Sequence, residues 1–325
     1  MTADELWWQR VPAAEKLVKF TRDRILNCHS VQIFPDMAWK DTFLALTLEK
    51  VRTFDAGIVE YQFDGEAMEQ DLSLVDIIAE QLGFGFNFDG SLKTLLGHLE
   101  THDNHIWKMR RFSPARIKEA HRLIRELAQS KAPVCVILED GTQTPVKSLY
   151  QIKLSPTQMD IRYFAWTLLL EEENVPLLEY AAVLCEQLSG GDPERCALLC
   201  TQIHALMHNA GDVCTWLSSS QMLQAVHLAQ LRGIQPVIEV QRLRLIDSLG
   251  ERLKKILPFT DERNGQFTKP QEVELRHLIY HKRELSLSPA EETLLDLLYA
   301  ARNDLSHLKI LSEKAIADLD AAAGK

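Results

Sequence analysis

The feature that most constrains the fold is a continuous apolar run, APVCVIL, at residues 132–138. Its valines and isoleucine are β-branched, and a strand without polar alternation needs cover on both faces. Shorter strand-like runs lie at 30–34, 57–63 and 105–109, and helical patterns separate them. Strands that alternate with helices are typical of βαβ units. The first part of the chain is therefore predicted to be an α/β domain with a parallel sheet.

The pattern becomes helical from about Leu154 onwards. It includes a predicted long helix at 237–256, a polar loop at 258–270 and a last helix that Ser288 is expected to cap. We therefore predict an α/β domain followed by mainly α-helical domains. The predicted ranges are 1–152 for the α/β domain, 153–235 for a helical domain and 236–325 for a C-terminal helical domain.

Composition excludes some classes of protein. The chain has 325 residues and a formal net charge of −10, so an overall basic surface for nucleic acid is absent. It contains no apolar run as long as a membrane span and no signal-peptide pattern at its start. Its six cysteines are scattered, which is typical of reduced thiols. We expect a cytoplasmic protein that does not contact a membrane.

A degenerate phosphate loop follows the first strand. In a P-loop, glycines let backbone N–H groups surround the phosphates, a lysine neutralises charge and a Ser or Thr binds Mg²⁺. Lys40 occupies the lysine position, but Phe34 and Trp39 replace the two glycines and Asp41 replaces the Ser or Thr. The bulky residues are not expected to take a glycine backbone at ordinary cost, and Asp41 would repel phosphate. We therefore expect no nucleotide cofactor.

Acidic residues end the apolar strand, as they do in the Mg²⁺-coordinating segment of NTPases. Glu139 and Asp140 follow the run at 132–138 directly. Together with Lys40 they form a predicted vestigial NTP site. Acids also end strands in parallel sheets that never bound nucleotide, so both a decayed NTPase and an unrelated α/β domain remain open.

Several stretches of the chain resemble the inactive STAND-type proteins of bacterial conflict and antiphage systems. The similar segments are LWWQRVPAAEKLVKF, SVQIFPDMAWKDTF, VCVILED, LSPTQMDIRYFAWTLLL, YAAVLCEQLSGGDPE and ARNDLSHLKIL. The resemblance implies a P-loop-related regulator without ATPase residues. It also implies a non-catalytic regulatory or scaffold role, exerted by protein–protein interaction with other proteins of a defence operon.

A second motif lies in the predicted helix at 294–308. Arg302 and His307 fit an RxxxxH pattern that resembles the one in HEPN ribonucleases. In such a site histidine moves a proton from the ribose 2′-OH and arginine stabilises the phosphorane, once a dimer brings two helices together. This metal-independent ribonuclease, with RNA as substrate and a homo-oligomer as its active form, is our alternative function. The structural alternative is that Asn303, Asp304 and His307 hydrogen-bond a neighbouring loop.

A stripe of soft metal ligands is the third candidate. Cys196, Cys200, His204 and His208 recur every four residues. Four consecutive helical turns extend over about 18 Å, so one zinc ion would be within reach of adjacent pairs only. Cysteine is also a frequent core residue. We therefore predict a core stripe with a hydrogen-bonded histidine and no metal.

An aromatic pair near the start of the chain allows two interpretations. Trp7 and Trp8 precede Gln9 and Arg10. Tryptophan and arginine are favoured interface residues, so the pair would suit a partner protein. The other interpretation is that both rings pack the first helix onto the sheet.

Overall fold

The chain divides into two compact units, Met1–Pro156 and Thr157–Lys325. The computed structural model describes residues 1–69, 71–84, 88–100, 103–139, 148–261 and 265–324. A further division of the helical part at 235/236 stays a prediction. Within the described ranges, no helix combines the length and the apolar character that a bilayer crossing requires.

The first unit contains a parallel sheet. Its described strands are β1 (Val31–Ile33), β2 (Val59–Asp64), β3 (His105–Arg110), β4 (Val134–Glu139) and β5 (Tyr150–Ile152). They pair in the order β2-β3-β4-β1-β5, and each pair is parallel. The α/β class is therefore confirmed, and the apolar run forms the central strand β4. We did not predict β5 from the sequence, because it has only three residues and two of them are exposed.

Helices cover both faces of this sheet. The described helices of the unit are α1 (Ala3–Arg10), α2 (Pro12–Leu26), α3 (Lys40–Phe54), α4 (Leu74–Gln81), α5 (Leu92–Leu99) and α6 (Pro114–Leu127). Trp107, Val136 and Leu138 belong to one buried cluster with α4, α5 and α6. Side chains alternate along a strand, so their neighbours Lys108 and Glu139 lie on the opposite face, against α3.

The second unit is almost entirely helical. Its described helices are α7 (Gln158–Leu169), α8 (Leu178–Ser189), α9 (Pro193–Thr201), α10 (Ile203–His208), α11 (Ala210–Val213), α12 (Ser219–Gly233), α13 (Gln235–Leu249), α14 (Glu251–Lys254), α15 (Leu275–Tyr280), α16 (Lys282–Leu285), α17 (Pro289–Ser306) and α18 (Glu313–Ala323), with a 3₁₀ turn at Pro270–Glu272. A short antiparallel pair, β6 (Phe259–Asp261) and β7 (Gly265–Phe267), completes it.

Two sequence predictions for this unit, a helix end and a loop, are wrong, and one, a helix cap, is confirmed. The helix predicted at 237–256 ends at Leu249, because Gly250 takes a positive φ of 43°. The predicted polar loop at 258–270 contains β6 and β7. Ser288 caps α17 as predicted, since its side chain accepts a 3.3 Å hydrogen bond from the backbone N–H of Glu291.

Candidate functional site

A charged crevice lies at the carboxyl edge of the sheet, on the face that α3 covers. Strand register places Glu139 at the end of β4, beside Ile33 of β1 on one side and Arg110 of β3 on the other. Two cavities of about 350 and 300 Å³ adjoin there, and Asp41, Arg110 and Glu139 line both. The carboxyl edge of an open parallel sheet is where α/β proteins place ligands. This crevice is therefore the candidate site of the first unit.

The structure brings together two of the residues predicted for a vestigial NTP site. Lys40 opens α3, and its Nζ lies 2.7 Å from Oε2 of Glu139. The side chain of Glu139 is 12% exposed and that of Lys40 is 28% exposed, so solvent screens the pair only in part. Asp140, the third predicted residue, lies outside the described residues.

The backbone immediately before Lys40 is left-handed. Trp39 takes the left-handed conformation, with φ 44° and ψ 48°, although this costs a non-glycine residue roughly 1–2 kcal/mol. Trp8 donates a 3.2 Å hydrogen bond from its indole N–H to the carbonyl of Trp39, and the Trp7 ring lies 6.5 Å from the Trp39 ring. These contacts offset the cost. Phe34, at the other glycine position, has no positive φ.

The aromatic pair of α1 is part of the core. Trp7 and Trp8 are both fully buried, and the Trp8 ring packs against Phe43 of α3 with ring centroids 4.8 Å apart and an interplanar angle of 50°. The interpretation that they form a partner-binding surface is therefore wrong. Their position explains how a bulky residue is held in a left-handed turn immediately before Lys40.

The other charges of the crevice compensate one another. Arg110 lies 3.2 Å from Asp64, which also pairs with Arg111. Farther along the sheet, Lys108 lies 3.1 Å from Glu60. The hydrogen bond from Arg111 lowers the pKa of the Asp64 carboxyl. An incoming phosphate would thus meet cations that already have acidic partners.

We missed these crevice residues at the sequence level, although a signal was present. Arg110 and Asp64 end their strands as Glu139 ends β4. In a parallel sheet, all three chain positions meet at one edge. Applying the argument used for Glu139 to every predicted strand would have found them.

The RxxxxH residues lie at the end of α17. The helix ends at Ser306, so His307 does not continue the helix that contains Arg302. His307 is exposed, and Arg302 is half-buried. Neither side chain makes a hydrogen bond or an ion pair with any residue that the structure describes. The expectation that His307 hydrogen-bonds a neighbouring loop is therefore wrong within that part of the chain. Asp304 pairs instead with Lys309, at 3.3 Å.

The predicted cysteine and histidine stripe is interrupted. α9 ends at Thr201, before either histidine. Cys196 and Cys200 are buried, while His204 and His208 are exposed and contact the carbonyl of Glu173 and the carboxylate of Glu313. The histidines are hydrogen-bonded as expected, but they are not in the core. No group of three or more His, Cys, Asp or Glu side chains in the described ranges is arranged to hold a metal ion.

An apolar stripe is exposed along α7. Met159, Tyr163 and Trp166, with Leu170 directly after the helix, follow one another at helical spacing and are between 39% and 68% exposed. The opposite face of α7, which includes Phe164, packs into the unit. A helix that is apolar on two faces needs a second surface to cover it. The stripe is therefore a candidate interface.

No family model matches the chain, and no curated protein matches it.

Proposed function

We propose that the protein is a non-catalytic regulatory or scaffold component that acts through protein–protein interaction, in a bacterial defence system. The observation that carries the interaction is the exposed stripe of α7. Tyrosine and tryptophan are the side chains that most often dominate binding energy at interfaces. Tyr163 and Trp166 stand at its centre. The defence setting rests on the resemblance to inactive STAND-type proteins.

The crevice of the first unit supports the non-catalytic part of this proposal. Lys40 is held by Glu139, and Asp41 stands where a P-loop has its Mg²⁺-binding hydroxyl. A nucleotide phosphate would have to displace the carboxylate of Glu139 from Lys40, and it would also lie beside the negative charge of Asp41. We expect calorimetry with ATP and Mg²⁺ to show no saturable binding up to about 1 mM ATP. A dissociation constant of about 1 mM corresponds to a binding free energy of about −4 kcal/mol. A micromolar affinity that Lys40→Ala abolishes would contradict this part.

The interaction itself is tested with defined partners. The proteins encoded beside this one are produced with it, and complex formation is measured by size-exclusion chromatography with light scattering. Tyr163→Ala with Trp166→Ala is expected to remove the complex and leave the melting temperature within about 2 °C, because both residues are exposed. Leu223→Ala, an exposed leucine of α12, is the matched control. A complex that survives the double substitution, or is lost equally in the control, would refute this interface.

A second function is favoured by the surroundings of Arg302 and His307. Both side chains are without a described partner, and a ribonuclease site completed by a second copy would need such groups unpaired. We therefore retain a metal-independent HEPN-type ribonuclease as the alternative. RNA is incubated with the protein in EDTA, alone and with the adjacent gene products, beside His307→Ala and the control His208→Ala. RNA cleavage that is lost in His307→Ala and kept in His208→Ala would refute the scaffold proposal in favour of the ribonuclease.

A further inference from the structure

A large groove lies within the second unit, between three of its helices. Its volume is about 870 Å³, and α13, α17 and α18 form its walls. The apolar part of the wall includes Leu245, Leu294 and Leu297, and the alanines 321 and 322 of α18 close one side. Sites for small molecules have volumes of roughly 300–1,000 Å³ and mainly apolar walls with few polar groups. The groove has the size and the lining of such a site.

A buried amide faces this groove. Gln241 is 4% exposed and lines the groove from α13. Its side chain makes no hydrogen bond with any residue that the structure describes. The amide atoms of Gln241 are not among the fully enclosed, unpartnered polar atoms of the described residues, so they are open to the groove and can hydrogen-bond a group that enters it. The other buried glutamine of the unit, Gln230, shows the contrast, because its amide both donates to and accepts from the backbone of Leu311.

The charges around the groove favour an anion. Glu291 is paired with Arg252, and Asp318 is paired with Lys314 at 2.7 Å. Arg244, one helical turn after Gln241, has no acidic partner within the described part of the chain. Its contact is a 3.4 Å hydrogen bond to the carbonyl of Ala323. A guanidinium with spare donors beside an unpaired amide can bind a carboxylate.

We propose that this groove binds a small molecule with an apolar body and one carboxylate. The aliphatic or aromatic body lies against Leu245, Leu294 and Leu297. The carboxylate pairs with Arg244, and the amide of Gln241 donates to it or to a neighbouring polar atom. Arginine matches this geometry better than lysine, because its fork donates two parallel hydrogen bonds. This binding activity is separate from the interface on α7.

Matched probes separate the charge from the apolar body. Decanoate, kept below its micelle-forming concentration, and decan-1-ol differ in the head group alone. Calorimetry is expected to show saturable decanoate binding at one site per chain. Arg244→Gln should weaken decanoate binding about tenfold and leave decan-1-ol binding unchanged, since a hydrogen bond to a charged group contributes about that factor. Arg283→Gln, an exposed arginine away from the groove, should change neither.

Filling the groove tests its location. Leu294→Trp is expected to abolish binding of both probes, because an indole takes the volume of the ligand. If Leu294→Trp lowers the melting temperature, Ala321→Trp on the opposite wall provides the same test from an exposed position. Absence of saturable decanoate binding would overturn the proposal. So would equal losses in Arg244→Gln and Arg283→Gln, or binding that persists when the groove is filled.

Discussion

Lys40 and Glu139 form an ion pair, 2.7 Å from Nζ to Oε2, that joins the first turn of α3 to the end of β4. We predict a coupling energy of about 1 kcal/mol for this pair, because its partners are partly shielded from solvent. A double-mutant cycle with Lys40→Met and Glu139→Gln, followed by denaturant unfolding, measures it. The exposed pair Lys19–Glu15 is the control and should give about 0.3–0.5 kcal/mol. Equal couplings would mean that Lys40 is not specifically held.

Gly233 of α12 lies directly against the backbone of Tyr180 in α8. A Cβ at position 233 would lie 2.5 Å from the Cα of Tyr180, which is a backbone clash that a rotamer change cannot relieve. Gly233→Ala is therefore expected to destabilise the protein by about 1–3 kcal/mol in denaturant unfolding. Gly97→Ala on α5 has nothing within 4 Å and should instead stabilise by about 0.5–1 kcal/mol. Similar values for the two substitutions would contradict this packing.

Glu291 links the cap of α17 to Arg252. A hydrogen bond from Arg252, with a further one from the backbone N–H of Ser288, lowers the pKa of Glu291 to about 2 from its usual 4.5. A lowered pKa stabilises the fold above the unfolded value and loses that contribution as pH falls toward the folded value. Glu291→Gln should therefore cost about 1–2 kcal/mol at pH 7.

The pH dependence of this cost provides the check. The difference between wild type and Glu291→Gln, from thermal unfolding, should narrow as pH falls from about 5 toward about 2. Glu292→Gln removes the same charge in the same helical turn, where its acid makes a long 3.5 Å contact to Lys282. That control should show a smaller cost. A stability difference between wild type and Glu291→Gln that grows as pH falls would contradict the assigned role of Glu291.

Features set by local chemistry could be predicted from the sequence, and features set by tertiary contacts could not. β4 and the Ser288 cap depend on a few neighbouring residues, and both were confirmed. The left-handed Trp39 depends on Trp7 and Trp8, more than thirty positions away, and a residue-by-residue argument could not foresee it. The Lys40–Glu139 pair needed the strand order, which the sequence alone did not determine.

The site in the second unit was missed for a related reason. Gln241 and Arg244 look ordinary in sequence, because a polar residue on a long helix is expected to face solvent. Whether Gln241 is buried without a partner depends on how α17 and α18 pack against α13. For the RxxxxH motif, by contrast, the sequence pattern predicted a geometry that the structure does not have. The pattern placed His307 in a helix, whereas the helix ends at Ser306 and Leu308 takes a positive φ of 58°.

The last prediction concerns thiol reactivity. Cys28 is half-buried, and the other five cysteines are buried. The thiolate is the reactive species, and burial raises the pKa of Cys28, Cys135 and Cys214. A hydrogen bond with Cys200, together with burial, raises the pKa of Cys185 and Cys196. The hydrogen bonds from Cys185 and Cys196 lower the pKa of Cys200 to about 5, but Cys200 is only 2% exposed, so a reagent in solution cannot reach its sulfur. We therefore expect native labelling with an aromatic disulfide reagent at pH 8 to be slow and confined to one thiol.

Two variants assign that labelling. Cys28→Ser should remove the native signal, and Cys196→Ser should leave its rate unchanged, because Cys196 is fully buried in the core. Guanidinium should expose all six thiols of the wild type. The native rate should rise with pH as the Cys28 thiol ionises, since its pKa lies above the usual 9.0. A fast native reaction that persists in Cys28→Ser would place a reactive thiolate in the cluster around Cys200 and contradict the assignment of those cysteines to an inert core.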